Sequence, residues 1–306
     1  MSKGRGCGGT GRFPRIGEKE GGSWGKHGFP HGSEPKANDA HVAQYAQPVA
    51  THEDFSEPIL AGEGESDYER YLNTVGLLAL QKTADEWVHR DELLFQVVHQ
   101  SSELWLKLAW NDVEGATGHL GSGVGSTEPQ ESGGAGSAGA GAGSSEMAAA
   151  IRLLRRSTLY LQYATTQLDM LEQMSPWEYQ EIRKVLGHGS GFDSPGWREI
   201  RRVTPPLGQT FHALREQAGL SLTDVYVMGR EHEELYQLAE ALIEWDERIN
   251  FWRIRHYKVV ARVIGDSVVG TQGTPVEVLG RLIHHVFFPE LWRVRNELTA
   301  LSQQEQ

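Results

Sequence analysis

From Leu235 onward the apolar positions fall at alternating steps of three and four: Leu235, Leu238, Leu242, Trp245, Ile249, Trp252, then Val259 and Val263. Such a stripe is one face of a long helix and predicts that this face is buried. His256 stands between Trp252 and Val259, where the stripe requires an apolar residue. A buried imidazole must find a partner or cost stability. Two readings stay open from the pattern alone. His256 hydrogen-bonds to a neighbouring helix, or it is an axial ligand to a metal or haem, for which neutral imidazole is the common protein donor.

Helical spacing recurs along the chain. Residues 67–80 carry Tyr68, Tyr71, Leu72, Val75 and Leu78 at helical intervals. Residues 91–113 form a second predicted helix, with Asp91 and Glu92 in its first turn, where the helix dipole favours acids. A third runs from about Glu146 to Met174. Ser175-Pro176-Trp177-Glu178 then reads as a capping box with proline at the first helical position. The short helix that follows ends at Gly187, and 187–191 is a loop. Residues 203–222 read as mixed, with Pro205-Pro206 breaking any helix. The His256 helix ends at Gly265, a Gly/Thr loop spans 269–275, and two helices close the chain, the last opened by Pro289. No segment reads as a strand. The expected architecture is an all-α helical bundle.

Composition narrows the foldable part. Glycine, Lys, Arg and Pro dominate residues 1–35, and 115–145 reads as a flexible Gly/Ser-rich linker. About 240 residues remain, enough for one sizeable core. The expected organisation is a flexible tail over 1–60 and a helical domain over 61–306, interrupted by that linker. Nine tryptophans and nine tyrosines suit either ordinary packing or an aromatic-lined pocket. The net charge of −12 disfavours nucleic-acid and anionic-membrane binding. Arg152, Arg155 and Arg156 read as a solvated helix face. The single cysteine, Cys7, excludes a disulfide framework, a thiolate zinc site and covalent haem attachment. No apolar run is long enough to span a bilayer, and the N-terminus lacks a signal-peptide core, so a soluble cytoplasmic protein is expected.

Three local patterns offer chemistry. Phe95 and His99 share a helix face, as do Tyr179 and Arg183. The glycine-rich loop around Thr271 lies just beyond the His256 helix. Each also has a plain structural explanation: core packing for Phe95 and His99, a surface pair for Tyr179 and Arg183, a helix connection for the loop. A phosphate cradle is disfavoured because the loop has neither a P-loop lysine nor a preceding strand.

Several motifs, in order, carry a family resemblance. Phe95-Gln96-Val97-Val98-His99-Gln100-Ser101-Ser102-Glu103-Leu104-Trp105-Leu106-Lys107-Leu108 resembles the distal helix of tryptophan 2,3-dioxygenases. Trp252-Arg253-Ile254-Arg255-His256 resembles their proximal haem-ligand motif, and Phe288-Pro289-Glu290-Leu291-Trp292-Arg293 their C-terminal signature. Tyr68 to Leu72, Met174 to Arg183, and Ser190-Gly191-Phe192 are similar in turn. The resemblance covers roughly 66–114 and 146–301. It implies haem b and O2 as cofactors, with His256 as the iron ligand and Trp252, Ser190 and Gly191 beside the haem. It implies His99 as the distal, catalytic histidine in reach of the indole N–H. Phe95 would pack on the indole, Arg183 and Tyr179 would take the substrate carboxylate, and Thr271 would contact the amino-acid end. Tyr68, Tyr71 and Leu72 would complete the pocket from a helix that, in the family, reaches a neighbouring subunit of a homotetramer.

The chain departs from the family at identifiable places. The family loop typically reads Gly-Thr-Gly-Gly, whereas this one reads Gly270-Thr271-Gln272-Gly273, with one extra residue after His256. The stretch between Ile200 and Glu233 is much shorter than usual, and the Gly-rich linker is unusual. In this the chain is more similar to the branch that converts β-methyltryptophan to a 2-oxindole in maremycin-type antibiotic biosynthesis. The expected function is therefore single-oxygen insertion into tryptophan or β-methyltryptophan, with an external reductant. The alternatives are C2–C3 cleavage to N-formylkynurenine, a haem-based gas sensor in which His256 and His99 are both axial ligands, and a cofactor-free helical scaffold.

Overall fold

The computed structural model describes residues 57–124 and 138–304. Contacts divide the chain at Ile59/Leu60, and everything below concerns the unit from Leu60 onward. The tail expected over 1–60 and the centre of the expected linker, 125–137, fall almost wholly outside the described residues, as does Cys7.

The described residues are helical, with one isolated bridge, Val269 to Pro275, as their sole β feature. The helices are α1 (Asp67–Leu72), α2 (Thr74–Leu78), α3 (Asp91–Val124), α4 (Ala138–Thr166), α5 (Tyr179–Val185), α6 (Pro195–Gln217), α7 (Leu222–Val227), α8 (Glu233–Ile264), α9 (Glu277–Leu282) and α10 (Pro289–Gln304). The long helices make the bundle: α3 packs along α4 and α6, and α4 along α8. Leu235, Leu238, Leu242, Trp245, Ile249, Val259 and Val263 of the α8 stripe are all buried. The all-α expectation holds.

The linker expected over 115–145 is narrower than its composition suggests, because α3 runs through Gly115 to Val124 and α4 already begins at Ala138. Val113, Ala116 and Leu120 continue the buried face of α3. A glycine in a helix costs up to about 1 kcal/mol relative to alanine, and burying one leucine returns roughly 1.5–3 kcal/mol. At Gly115 the missing side chain is also used: a Cβ there would stand 3.3 Å from Leu153 Cδ1 of α4.

The expectation that Pro205-Pro206 break the helix is wrong, since α6 passes straight through them. Both prolines sit on its exposed face, and so do Arg201 and Arg202, whose carbonyls lose their amide partners to them. The opposite face buries Trp197, Ile200, Val203, Thr204, Leu207 and Phe211. Thr204 Oγ1 donates to Ile200 O at 2.7 Å and accepts from Trp245 Nε1 at 3.1 Å, tying α6 to α8.

Other boundaries follow the sequence with local changes. The predicted 67–80 helix is split at Asn73, which takes a left-handed φ of 50°. Residues 167–173 tighten from α into a 3-10 helix. The expected capping box forms only in part: Glu178 N–H donates to Ser175 Oγ at 3.4 Å and Tyr179 N–H to Ser175 O at 2.9 Å, but 176–178 is a turn and α5 begins only at Tyr179, with no side-chain cap. The buried carboxylate of Asp246 on α8 accepts from Phe287 N–H, Phe288 N–H and Trp292 Nε1 at 2.9–3.2 Å, which anchors α10. No helix among the described residues is long and apolar enough to cross a membrane.

Candidate active site

A cavity of about 750 Å3 lies between α3, α5, α6, α8 and the loops around 190 and 271. Phe95, His99, Tyr179, Arg183, Ser190, Gly191, Trp252, His256 and Thr271 all line it. Sequence positions up to 176 residues apart, as for Phe95 and Thr271, thus meet at one place. Tyr68, Tyr71 and Leu72 do not: they are exposed outside the cavity, and neither α1 nor α2 buries a residue within this chain.

On α3, His99 Nδ1 stands 2.7 Å from Phe95 O. A carbonyl accepts only, so Nδ1 carries the proton and Nε2 keeps a free lone pair. The Phe95 ring lies 4.1 Å from the His99 ring and 5.9 Å from the Tyr179 ring, centroid to centroid. The accessible surface of His99 opens on the cavity, and burial lowers its pKa below the usual histidine value. Burial also raises the Tyr179 pKa, so this phenol stays protonated and can donate.

On α8, burial pushes the His256 pKa down to about 4, helped by the nearby His99. His256 is therefore neutral at pH 7, the form that ligates a metal. Its ring stacks on Trp252 at 4.7 Å with an 11° interplanar angle, and Trp252 in turn meets Trp197 at 4.2 Å. Glu103 of α3, also on the cavity wall, accepts from Ser194 Oγ at 2.5 Å and from Gly196 N–H at 2.8 Å, which ties α3 to the start of α6.

Arg183 Nη2 donates to Val269 O, and Thr271 Oγ1 donates to Gly189 O. In this state both side chains hold the loop itself. A guanidinium has five N–H donors, so Arg183 retains capacity for a carboxylate.

The cavity's residues fit a haem. Among the described residues no group of three or more His, Cys, Asp or Glu could hold a bare metal ion. A lone neutral imidazole suits a metal that brings its own equatorial ligands. A Cβ on Gly191 would stand 4.0 Å from His256 Nε2, so this glycine leaves space in front of the imidazole. The Trp252 Nε1 donor is buried without a partner. Arg201 and Arg253 also line the cavity and are suited to the carboxylates of a haem. Arg253 donates to His285 O, and burial lowers its pKa.

Sequence reasoning missed Arg201, Trp197 and Glu103. Trp197 and Arg201 are one helical turn apart on α6, so the i, i+4 signal was present. Treating Pro205-Pro206 as a helix breaker hid the element that carries it.

No family model matches the chain. Curated relatives do. The chain is 28% identical over 298 residues to a protein named tryptophan 2,3-dioxygenase from Bacillus cereus, spanning 81% of this chain and 95% of the relative. It is 28% identical over 282 residues to one of the same name from Pseudomonas fluorescens, spanning 76% of this chain and 91% of the relative. A third of that name, from Saccharopolyspora erythraea, is 28% identical over 285 residues, spanning 76% and 93%. The chain is thus similar over most of its length to tryptophan 2,3-dioxygenases.

Proposed function

We propose that this chain is a haem-dependent oxygenase acting on the indole ring of tryptophan. The observation that carries the reading is the single cavity that joins a neutral His256 to Arg183, Tyr179, His99 and Phe95. The similarity to proteins named tryptophan 2,3-dioxygenase supports it. His256 holds the haem, with Trp252 stacked on the imidazole and Ser190 and Gly191 leaving room for the macrocycle. When bound, the haem supplies the activation of O2.

The protein's own work is to bind and orient. Arg183 and Tyr179 take the amino-acid carboxylate, the guanidinium with two parallel hydrogen bonds. Thr271 contacts the amino-acid end. Phe95 packs against the indole face. The free Nε2 of His99 accepts from the indole N–H and is a place for that proton. Fixing the substrate at both ends replaces a bimolecular encounter by a preset geometry. A gas sensor has no need of a carboxylate clamp, and a scaffold has no need of a cavity that gathers Arg183, Tyr179, His99 and His256. Tyr68, Tyr71 and Leu72 act, in this reading, at a neighbouring subunit of a homotetramer.

The relatives' name supports cleavage of C2–C3 to N-formylkynurenine better than the 2-oxindole product expected from the loop. The second reading, single-oxygen insertion into β-methyltryptophan, keeps one specific observation in its favour: Gln272, on the cavity wall, is hydrogen-bonded to Asp193, an arrangement that a Gly-Thr-Gly-Gly loop lacks the side chain to make. Mass spectrometry under labelled dioxygen separates them. The expected result with L-tryptophan is a product retaining both labelled atoms, formed without added reductant. A reductant-dependent product with one labelled atom, favoured with the β-methylated substrate, would establish the second reading.

A further inference from the structure

The connection from α8 to α9 is a miniature hairpin. Val276 N–H donates to Val268 O at 3.0 Å, Gly270 N–H to Thr274 O at 2.8 Å, and Gly273 N–H to Gly270 O at 3.0 Å. The last bond makes 270–273 a tight turn with Thr271 and Gln272 at its central positions. Gly273 follows at φ 75°, which favours glycine. Both central side chains reach the same neighbouring segment. Thr271 Oγ1 donates to Gly189 O, and Gln272 Nε2 donates to Asp193 Oδ2 at 2.6 Å. Between those two anchor points lies Gly191, the glycine in front of His256. On the remaining side Arg183 donates to Val269 O.

The turn is therefore held at three points, and two of them use side chains that the proposed function assigns to the substrate. An incoming amino acid competes for Arg183 and Thr271. It leaves the Gln272–Asp193 bond untouched. We propose that Gln272 is a positioning residue acting through Asp193: the pair keeps the turn in place across the cavity while Arg183 and Thr271 exchange backbone carbonyls for the ligand. This rests on the substrate-binding reading of Arg183 and Thr271. Without the pair, binding must also order the turn, and that cost is subtracted from affinity. The bond joins an amide to a carboxylate, so its loss is felt more than that of a neutral pair, yet both groups are exposed, which limits it.

The test uses the haem-loaded full chain with Asp193→Ala, with Gln272→Glu, and with the exchanged pair Asp193→Asn/Gln272→Glu. In the exchanged pair the asparagine amide donates to the new carboxylate. Amide exchange over 268–276, measured without ligand, is expected to rise about three- to tenfold in both single variants. L-tryptophan dissociation, followed by stopped flow, is expected to rise by a similar factor. The exchanged pair is expected to restore both. Unchanged amide exchange in both single variants overturns the proposal. So does faster exchange with unchanged tryptophan dissociation. A wild-type chain that takes up haem yet binds no L-tryptophan overturns the substrate reading, and the proposal with it.

Discussion

Replacing His256 by alanine is expected to strip the purified protein of haem, lowering haem content and Soret absorbance by roughly tenfold or more. The expectation follows from the surroundings of the imidazole. His256 is the polar break in the apolar stripe of α8, it faces the cavity, and its pKa of about 4 keeps the ring neutral. The alanine variant should still fold, because Trp245, Ile249, Val259 and Val263 remain buried along the same face. Far-UV circular dichroism checks this separately from the loss of colour. Added imidazole should restore part of the Soret band by entering the vacated space. Full haem retention with an unchanged ferrous spectrum would remove His256 from the role of ligand.

The second large effect is expected at Arg183. Truncating a charge-assisted partner in a desolvated site costs on the order of 2–5 kcal/mol, or about thirtyfold to several thousandfold in affinity. Arg183→Ala should therefore weaken L-tryptophan binding by at least about thirtyfold while haem content stays at the wild-type level. Tryptamine lacks the carboxylate, so its affinity should barely change between the two proteins. Arg183→Lys keeps the charge and loses the planar fork, and should fall between. Equal affinity of the wild-type protein for tryptophan and tryptamine would show that no carboxylate clamp exists.

Much of this site was legible in the sequence because its parts obey short-range periodicity. The i, i+4 pairs Phe95/His99 and Tyr179/Arg183 and the heptad position of His256 each fix a face, and the fold turns those faces inward. The positions that misled are those where tertiary contact overrides a local rule. Glycines at 115, 118 and 121 read as linker, yet Ala116 and Leu120 have a partner helix to bury against. Prolines 205 and 206 read as a break, yet both face solvent and the helix is held from its other side. Tyr68, Tyr71 and Leu72 carry apolar spacing that nothing within one chain absorbs. Gln272 and Asp193 are 79 positions apart, with no periodicity to link them.

The proline pair also bears on the order in which the molecule assembles. Two successive residues without amide hydrogens interrupt the bonding of α6 near its middle, so its second half gains less than usual from growing on the first. That half is secured by Leu207 and Phe211, which join the main core, and by Gly208 against the Phe288 ring. It can only be secured once those neighbours exist. Residues 207–217 should thus acquire structure late, after the central turns of α3 and α8 have both docked on α4. Pulse-labelled exchange during refolding should find amide protection over 207–217 trailing that over 106–120 and 238–252. Protection that arose first in 207–217 would mean that this stretch winds up by itself, prolines notwithstanding.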